Sequence, residues 1–394
     1  MTELDPQPRE AASRERGGAF DVRNATLEAL EQFLVKLGEP PFRAKQIFRW
    51  VHQRGARSFE EMSDLSKSLR TRLSESAQLP SLSIKTVERA GDGTRKYAFA
   101  SAAGHVVEAV FIPDASAKGR NTLCISSQVG CAVDCQFCLT ASLGLIRNLG
   151  PGEIVEQITR VKEDLEGGPL TGKKKAPRDD EDDTPRIGNI VMMGMGEPLQ
   201  NYKALIPALK TMSHELSHNI SPRRITVSTS GLVPRIARLG ADTNVQLAIS
   251  LNATTDEVRD QIMPINRRWN IAELLDACRK YPLSDRRRIT FEYVMLRDIN
   301  DTDADAKRLV KMLRGIRSKV NLIPFNEHPY SPYKRPSMDR VDAFQAILRD
   351  AGYTVLVRTP RGDDISAACG QLGAQVDAPR VPAGERPSRL RVVS

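Results

Sequence analysis

NTLCISSQVGCAVDCQFC, residues 121–138, is the stretch of sequence that decides the fold. Residues 121–126 predict a strand, and three cysteines follow it with the spacing C-x3-C-x2-C: Cys131, Cys135 and Cys138. The loops that follow the carboxyl ends of strands in a βα barrel carry its chemistry. We therefore expect the three thiols to mark an active site on a loop after the first strand of a barrel.

The close spacing of these three thiols indicates a metal site. Structural zinc sites use four ligands, usually as two separated pairs, but neither a fourth cysteine nor a paired histidine motif lies beside this loop. Thiolate-rich sites favour iron–sulfur clusters as well as zinc. Three cysteines would leave one iron of a 4Fe–4S cluster open to a substrate, as catalytic metal sites do. An iron–sulfur cluster is the prediction, and a zinc site is its alternative.

Strands and helices alternate after residue 121. The predicted strands are residues 121–126, 187–193, 224–229, 245–251, 288–296, 319–323 and 353–358, and the helices between them are residues 151–166, 201–215, 233–239, 270–281, 302–315 and 338–351. Repeated βα units predict a parallel sheet covered by helices. Six units fit a partial (β/α)6 TIM-like barrel better than an eight-fold one, and a doubly wound open sheet is the alternative. No Gly-x-Gly-x-x-Gly motif follows the first strand, which argues against a dinucleotide-binding fold.

Smaller segments flank the barrel. The expected organisation is a disordered tail (1–20), a helical RNA-binding domain (21–80), a β-hairpin extension (81–120), the barrel (121–372) with a charged, mobile insertion (167–186), and a second disordered tail (373–394).

The chain of 394 residues carries a formal net charge of +9, which favours a polyanionic partner such as nucleic acid. The helix predicted over residues 42–52 adds Arg43, Lys45, Arg49 and Trp50 as a basic, partly aromatic face. An ordinary solvated face is the alternative interpretation.

We expect a cytoplasmic protein with no membrane partner. No apolar run approaches the ~20 residues that span a bilayer. The first residues, MTELDPQPREAASRERGGAF, are charged and lack the apolar segment of a secretory signal.

The cysteine spacing is similar to that of radical S-adenosylmethionine (SAM) enzymes. Beyond the cysteines, about residues 24–372 resemble the RlmN/Cfr family of RNA adenine methyltransferases. The segments that carry this resemblance are PFRAKQIFRWVHQRG (41–55), VVEAVFIP (106–113), NTLCISSQVGCAVDCQFC (121–138), GMGEPLQN (194–201), RRITVSTSGLVPRI (223–236), LAISLNA (247–253), NLIPFN (321–326) and RGDDISAACGQL (361–372).

The resemblance implies one 4Fe–4S cluster on Cys131, Cys135 and Cys138, with SAM bound to its open iron. It also implies a set of SAM-binding residues: Gly196 and Glu197 at the amino group, Ser228, Ser250, Leu251 and Asn252 around the ribose and carboxylate, and Asn326 on the adenine side. Family members often carry histidine where this chain has Asn252. Both side chains donate hydrogen bonds, so the substitution is compatible with the site.

The resemblance also assigns two further cysteines and two SAM molecules per turnover. Cys369 would take a methyl group from one SAM, and the second SAM would supply a radical that activates the methyl-cysteine for addition to adenine. Cys124 would release the product by forming a transient disulfide with Cys369. The ring proton would leave to Cys124 or to Glu108, which is unusual as a glutamate on an otherwise apolar alternating strand.

The implied reaction is methylation of adenine carbon 2 in 23S rRNA, at the peptidyl transferase centre, and in some tRNAs beside the anticodon. An electron-donating reductase system would be a further partner, and a monomer is expected. Cfr-like methylation of carbon 8, which would confer antibiotic resistance, is the alternative. A non-enzymatic metal-containing RNA-binding module is a more distant one, and it would have no use for Cys124 and Cys369.

Overall fold

A computed structural model of the chain describes residues 18–114, 120–171, 185–284, 286–373, 376–377 and 379–385. Most of the predicted N-terminal tail and of the predicted insertion therefore lies outside the described residues. Among the described residues, no helix has the length and hydrophobicity needed to cross a membrane.

The N-terminal domain is a small helical unit with its own apolar core, which includes Leu30, Ile47 and Phe48. The Ala29 N–H donates a hydrogen bond to the side chain of Thr26, which caps the start of the first helix of this domain. The elements of this domain are β1 (Phe20–Asp21), α1 (Leu27–Lys36), α2 (Phe42–His52), α3 (Lys67–Ser76) and β2 (Ala77–Gln78).

The extension after this domain is a three-stranded antiparallel meander rather than a single hairpin. Its strands are β3 (Ser83–Arg89), β4 (Arg95–Ala100) and β5 (Val106–Ile112). The last of them pairs antiparallel with the first barrel strand. The extension therefore continues the main sheet, which explains why β4 and β5 are almost wholly buried.

The barrel begins with a strand, a short hairpin and a helix: β6 (Asn121–Cys124), β7 (Gln128–Gly130), β8 (Leu145–Asn148) and α4 (Pro151–Leu165). The remaining elements are β9 (Ile187–Met192), α5 (Tyr202–Ser213), β10 (Ile225–Thr229), α6 (Val233–Asp242), β11 (Gln246–Ser250), α7 (Asp256–Ile262), α8 (Ile271–Lys280), β12 (Ile289–Met295), α9 (Asp303–Met312), β13 (Ser318–Pro324), α10 (Met338–Asp350) and β14 (Val355–Val357).

Seven strands form the parallel part of the sheet in the order β6-β9-β10-β11-β12-β13-β14. Each strand lies beside the strand that precedes it in this series, so the sheet winds in one direction. A doubly wound sheet would reverse its strand order instead. Because β6 pairs with β5 rather than with β14, the sheet stays open between its first and last parallel strands. The prediction of a partial (β/α)6 barrel with a helical domain and a β extension is confirmed.

The C-terminal segment differs from the expected disordered tail. In its described part, the Val381 N–H donates to the Ser142 carbonyl at 3.0 Å, and the Gly384 N–H donates to Gln136 Oε1 at 2.9 Å. Val376 is buried in the main core. These contacts order the segment against the loop that carries the three cysteines, although its Pro- and Arg-rich composition gave no sign of them.

Candidate active site

The loop with the three cysteines is fixed by backbone hydrogen bonds to distant parts of the barrel. The Cys131 N–H donates to the Gly144 carbonyl at 2.8 Å, next to the β7–β8 hairpin. The Gln136 N–H donates to the Ile262 carbonyl at 2.9 Å, and the Leu139 N–H donates to the Gly370 carbonyl at 2.7 Å. The loop is thus attached both to the end of α7 and to the residue that follows Cys369.

An open cavity of about 950 Å³ lies above the carboxyl ends of the parallel strands. It brings together most of the predicted site: Cys131, Cys135, Cys138, Gly196, Glu197, Ser228, Ser250, Asn252, Asn326 and Cys369. Their elements are far apart in sequence but meet here because parallel strands all end on the same side of a barrel.

Cys131, Cys135 and Cys138 all line the larger cavity, which places three thiols around one space. In the part of the chain that the structure describes, no three His, Cys, Asp or Glu side chains converge on a position for one ion. A 4Fe–4S cluster is broader than one ion, so three cysteines around a cavity wall can bind it without converging. A structural zinc site would require four converging ligands.

Glu197 supplies a buried carboxylate to the cavity. Its Oε2 accepts hydrogen bonds from the Ser230 N–H at 2.7 Å and the Ser230 hydroxyl at 2.8 Å. Its Oε1 accepts from the Leu199 N–H at 3.0 Å. Burial raises the pKa of Glu197, and the hydrogen bonds from Ser230 oppose that rise. The carboxylate is held in one orientation and suits a cationic group such as an ammonium.

Gly196 allows the backbone to pass close to the strand end of β7. Its φ of +97° is rarely adopted by residues with a side chain, and a Cβ here would lie 2.5 Å from the Cβ of Gln128. Glycine at this position therefore lets the Gly-Glu pair reach the cavity without steric clash.

Leu251 and Asn252 make contacts within the protein, and their contacts with SAM stay predictions. The Leu251 side chain is fully buried in the core and is absent from the cavity wall, since its neighbour Ser250 faces the cavity and successive strand residues face opposite ways. Asn252 does line the cavity, but its Oδ1 accepts from the Val294 N–H at 2.8 Å and its Nδ2 faces the Met263 sulfur. The Asn252 amide thus braces β12.

Cys124 and Cys369 line a second, adjoining cavity of about 450 Å³. Both are free thiols, and Arg358 and Asn326 line this cavity as well as the larger one. Burial raises the pKa of Cys124 to about 12. Burial also raises the pKa of Cys369, while the guanidinium of Arg358 lowers it. Arg358 also lowers the pKa of Cys124, but its interaction with Cys369 is the stronger of the two. This favours Cys369 as the nucleophile, because a thiolate rather than a thiol attacks.

Asn326 connects the two cavities. Its Nδ2 donates to the Cys369 carbonyl at 3.2 Å. Its buried Oδ1 has no hydrogen-bond partner among the described residues, which leaves it available to a ligand. The residue predicted to contact a cofactor thus also holds the backbone of Cys369.

Glu108 is fully buried on β5, so it does not face solvent on an edge strand. Its Oε2 accepts a hydrogen bond from the Gly373 N–H at 3.0 Å, four residues after Cys369. It is absent from the walls of both cavities. Its carboxylate holds the segment that carries Cys369, and a role as proton acceptor stays a prediction.

Three charged residues of the site escaped prediction from the sequence: Arg259, Glu292 and Arg358. Arg358 directly follows the last strand. This position could have identified it from the sequence, because the residues at this end of a barrel strand surround the active site. Glu292 pairs with Ser250 on the neighbouring strand, lines the larger cavity, and has one carboxylate oxygen without a partner among the described residues. Arg259 lies on α7, a helix that the sequence did not predict.

Helix α2 has the predicted basic face, except that Trp50 is not part of it. Lys45 and Arg49 are exposed, and the guanidinium of Arg43 lies 4.8 Å from the ring centroid of the exposed Phe42. Trp50 is only 3% exposed and donates to Asp64, so it belongs to the domain core and not to this face.

Two families match separate parts of the sequence. Residues 20–79 match the ribosomal RNA large subunit methyltransferase N-terminal domain, and residues 180–310 match the radical SAM superfamily.

Full-length relatives and a solved structure match most of the chain. The dual-specificity RNA methyltransferase RlmN of Pelobacter propionicus is 52% identical over 363 residues, covering 92% of this chain and 98% of the relative. The enzyme of the same name from Geobacter sulfurreducens is 51% identical over 359 residues, covering 91% and 93%. The crystal structure of a radical SAM methyltransferase from Sphaerobacter thermophilus is 42% identical, with a TM-score of 0.78 and coverage of 89% and 98%.

Proposed function

Because the chain belongs to the RlmN family of radical SAM RNA methyltransferases, we propose that it methylates adenine carbon 2 in 23S rRNA and tRNA. The rRNA target would lie at the peptidyl transferase centre and the tRNA target beside the anticodon. The observation that carries the proposal is the joint lining of one cavity by Cys124 and Cys369, directly beside the cavity of the three-cysteine loop.

Cys131, Cys135 and Cys138 would hold a 4Fe–4S cluster whose open iron binds SAM. When bound, the cluster supplies the electron that allows SAM to generate a radical. Glu197 would hold the amino group of SAM through its carboxylate, and Ser228 and Ser250 would line the ribose and carboxylate. Asn326 would accept a hydrogen bond from the adenine side through its unpartnered Oδ1.

Cys369 would carry the methyl group. Its thiol loses a proton, and the thiolate displaces the methyl group of one SAM, so that a sulfur–carbon bond forms on Cys369 and S-adenosylhomocysteine leaves. Arg358 supports this step because its charge favours the thiolate over the thiol. Arg358 would also stay charged after the thiolate has been methylated, because an arginine guanidinium is not deprotonated in proteins.

Cys124 would release the product. Once the methylene carbon has joined the adenine ring, the adduct would lose the ring proton, and its odd electron would return to the cofactor that supplied it. The Cys124 thiolate would then attack the sulfur of Cys369. The carbon–sulfur bond breaks, its electron pair stays on the methylene carbon, which takes a proton to become the methyl group, and a Cys124–Cys369 disulfide remains for later reduction. The high pKa of Cys124, about 12, keeps it protonated until a base or a change of surroundings removes its proton. Glu108, or Cys124 in its thiolate form, would accept the proton of adenine carbon 2.

The RNA would approach over the basic face of α2, where Lys45, Arg49 and the Arg43–Phe42 pair are available to phosphates and bases. A reductase system would provide electrons and reduce the disulfide. We propose that the enzyme acts as a cytoplasmic monomer.

Carbon 8 methylation remains the competing reaction, because the same two thiols would serve it. The names of the relatives favour the carbon 2 reaction. A non-enzymatic binding module is disfavoured because it would not need two thiols facing one cavity.

Nucleoside analysis tests the proposal. The anaerobically reconstituted enzyme is incubated with unmethylated 23S rRNA or tRNA, SAM and dithionite, and the hydrolysed RNA is analysed by mass spectrometry against both standards. We expect 2-methyladenosine. Detection of 8-methyladenosine instead, or of no methylated adenosine with either RNA, would overturn the proposal.

A further inference from the structure

Arg259 is a fully buried arginine whose guanidinium joins three loops beneath the larger cavity. Its Nε donates to the Leu251 carbonyl at 3.0 Å, at the end of β11. Its Nη2 donates to the Ser230 carbonyl at 2.7 Å and the Ser250 carbonyl at 3.2 Å. Its Nη1 donates to Asn266 Oδ1 at 3.0 Å. One side chain thus satisfies carbonyls at the ends of two neighbouring strands.

Ser230 connects Arg259 to the carboxylate of Glu197, which faces the larger cavity. Ser230 donates both its N–H and its hydroxyl to Glu197, while its carbonyl accepts from Arg259. The position of Glu197 therefore depends on the position of Ser230, which the guanidinium fixes. Ser250, whose carbonyl is held by the same Nη2, lines the cavity itself.

The helix that carries Arg259 also contacts the three-cysteine loop. The carbonyl of Ile262, the last residue of α7, accepts from the Gln136 N–H at 2.9 Å, next to Cys135. Burial lowers the pKa of Arg259 to about 10, so its guanidinium is a cation at neutral pH. Helix α7 therefore connects the carbonyls beside Glu197 and Ser250 to the loop that carries the three cysteines.

A buried charge of this kind is costly to maintain, and apolar packing would stabilise the fold equally well or better. An arginine suits the position because five N–H donors in a rigid fork can reach several carbonyls at once. Lysine has three donors on one nitrogen and cannot span the same acceptors.

We propose that Arg259 is a positioning residue that sets the geometry of Glu197 and Ser250 for SAM. This inference rests on the proposed function, because it requires that the cavity bind SAM.

The test uses Arg259→Met, Arg259→Lys and, as a matched control, Arg267→Met, which removes an exposed arginine a few residues away. Each full-length protein is reconstituted anaerobically, and iron content and visible absorbance are measured first. SAM affinity is then measured by equilibrium dialysis without RNA, and thermal unfolding is measured on the same samples.

We expect Arg259→Met to bind SAM at least about tenfold more weakly, the effect of losing one charge-assisted hydrogen bond. Arg259→Lys keeps the charge but cannot reach the same carbonyls, so its SAM affinity should also fall while its cluster absorbance stays at the wild-type level. Arg267→Met should leave SAM affinity unchanged.

Wild-type SAM affinity in Arg259→Lys would overturn the positioning role, and this variant decides the matter even if Arg259→Met fails to fold. None of these measurements involves RNA, so a wrong carbon 2 assignment would leave their outcome unaffected. Wild-type protein that binds neither cluster nor SAM would instead refute the proposed function.

Discussion

Replacement of Glu197 by glutamine perturbs the cavity at its most constrained carboxylate. Glu197 accepts two hydrogen bonds from Ser230 and one from Leu199, and the side chain of Thr229 also stabilises its carboxylate. A glutamine amide has one oxygen, which can keep the two bonds from Ser230, and its NH2 group then faces the Leu199 N–H. One buried donor is left unsatisfied, which costs about 1–3 kcal/mol of folding free energy. We expect a melting temperature lower by a few degrees.

The effect on SAM is expected to be larger and to depend on pH. Loss of a charged acceptor for an ammonium costs about 1.5–3 kcal/mol, equivalent to about 10- to 140-fold in dissociation constant. Burial raises the pKa of Glu197, and only its ionised form attracts an ammonium. Wild-type affinity should therefore fall as pH is lowered, starting above the usual glutamate range, and Glu197→Gln should lack this dependence.

The assay is equilibrium binding of SAM to anaerobically reconstituted protein between pH 5 and 8, with thermal unfolding measured on the same samples. Glu257→Gln, at an exposed position on α7, is the control and should match wild type. A Glu197→Gln protein with wild-type affinity across this pH range would refute the assignment of this carboxylate to the amino group of SAM.

Three other variants probe the thiols and the backbone around them. Cys369→Ala should form no methylated product while keeping the visible absorbance of the cluster, and methylation by this variant would exclude the methyl-cysteine route. Arg358→Met should raise the pKa of the Cys369 thiol. The rate of methyl transfer to Cys369, measured by intact-protein mass spectrometry, should therefore increase at a higher pH than in wild type. An unchanged pH profile would refute the role of Arg358. Gly196→Ala should weaken SAM binding and destabilise the fold by about 1–3 kcal/mol. The reason is that position 196 has a φ of +97° and that the added Cβ would lie 2.5 Å from Gln128. Normal stability and normal SAM affinity would contradict that explanation.

The barrel could be predicted because its parallel strands are short apolar segments between helical ones. All seven predicted strand ranges overlap the observed strands, including the first and the last. Helix α7 was missed because its seven residues, DEVRDQI, carry few apolar positions and give no helical period. Its main anchor is the buried Arg259, a residue that sequence patterns place on a solvated face.

The thiols and the Gly-Glu pair were identified through the family resemblance, and the structure brings them into adjoining cavities. The structure alone identifies the groups that orient them, such as Arg358 beside Cys369. The physical reason is that each of these interactions joins segments far apart in sequence. The bond from Gly373 to Glu108 spans 265 residues, and no local pattern can indicate it.

Covalent trapping with the Cys124→Ala variant tests most directly whether Cys369 carries the methyl group and Cys124 releases the product. This variant keeps Cys369 but lacks the thiol that would release the product from it. After incubation with RNA, SAM and dithionite, digestion with protease and nuclease should yield a Cys369 peptide joined through one carbon to adenosine, detected by mass spectrometry. Free methylated adenosine at the wild-type rate, with no Cys369 adduct, would contradict the account.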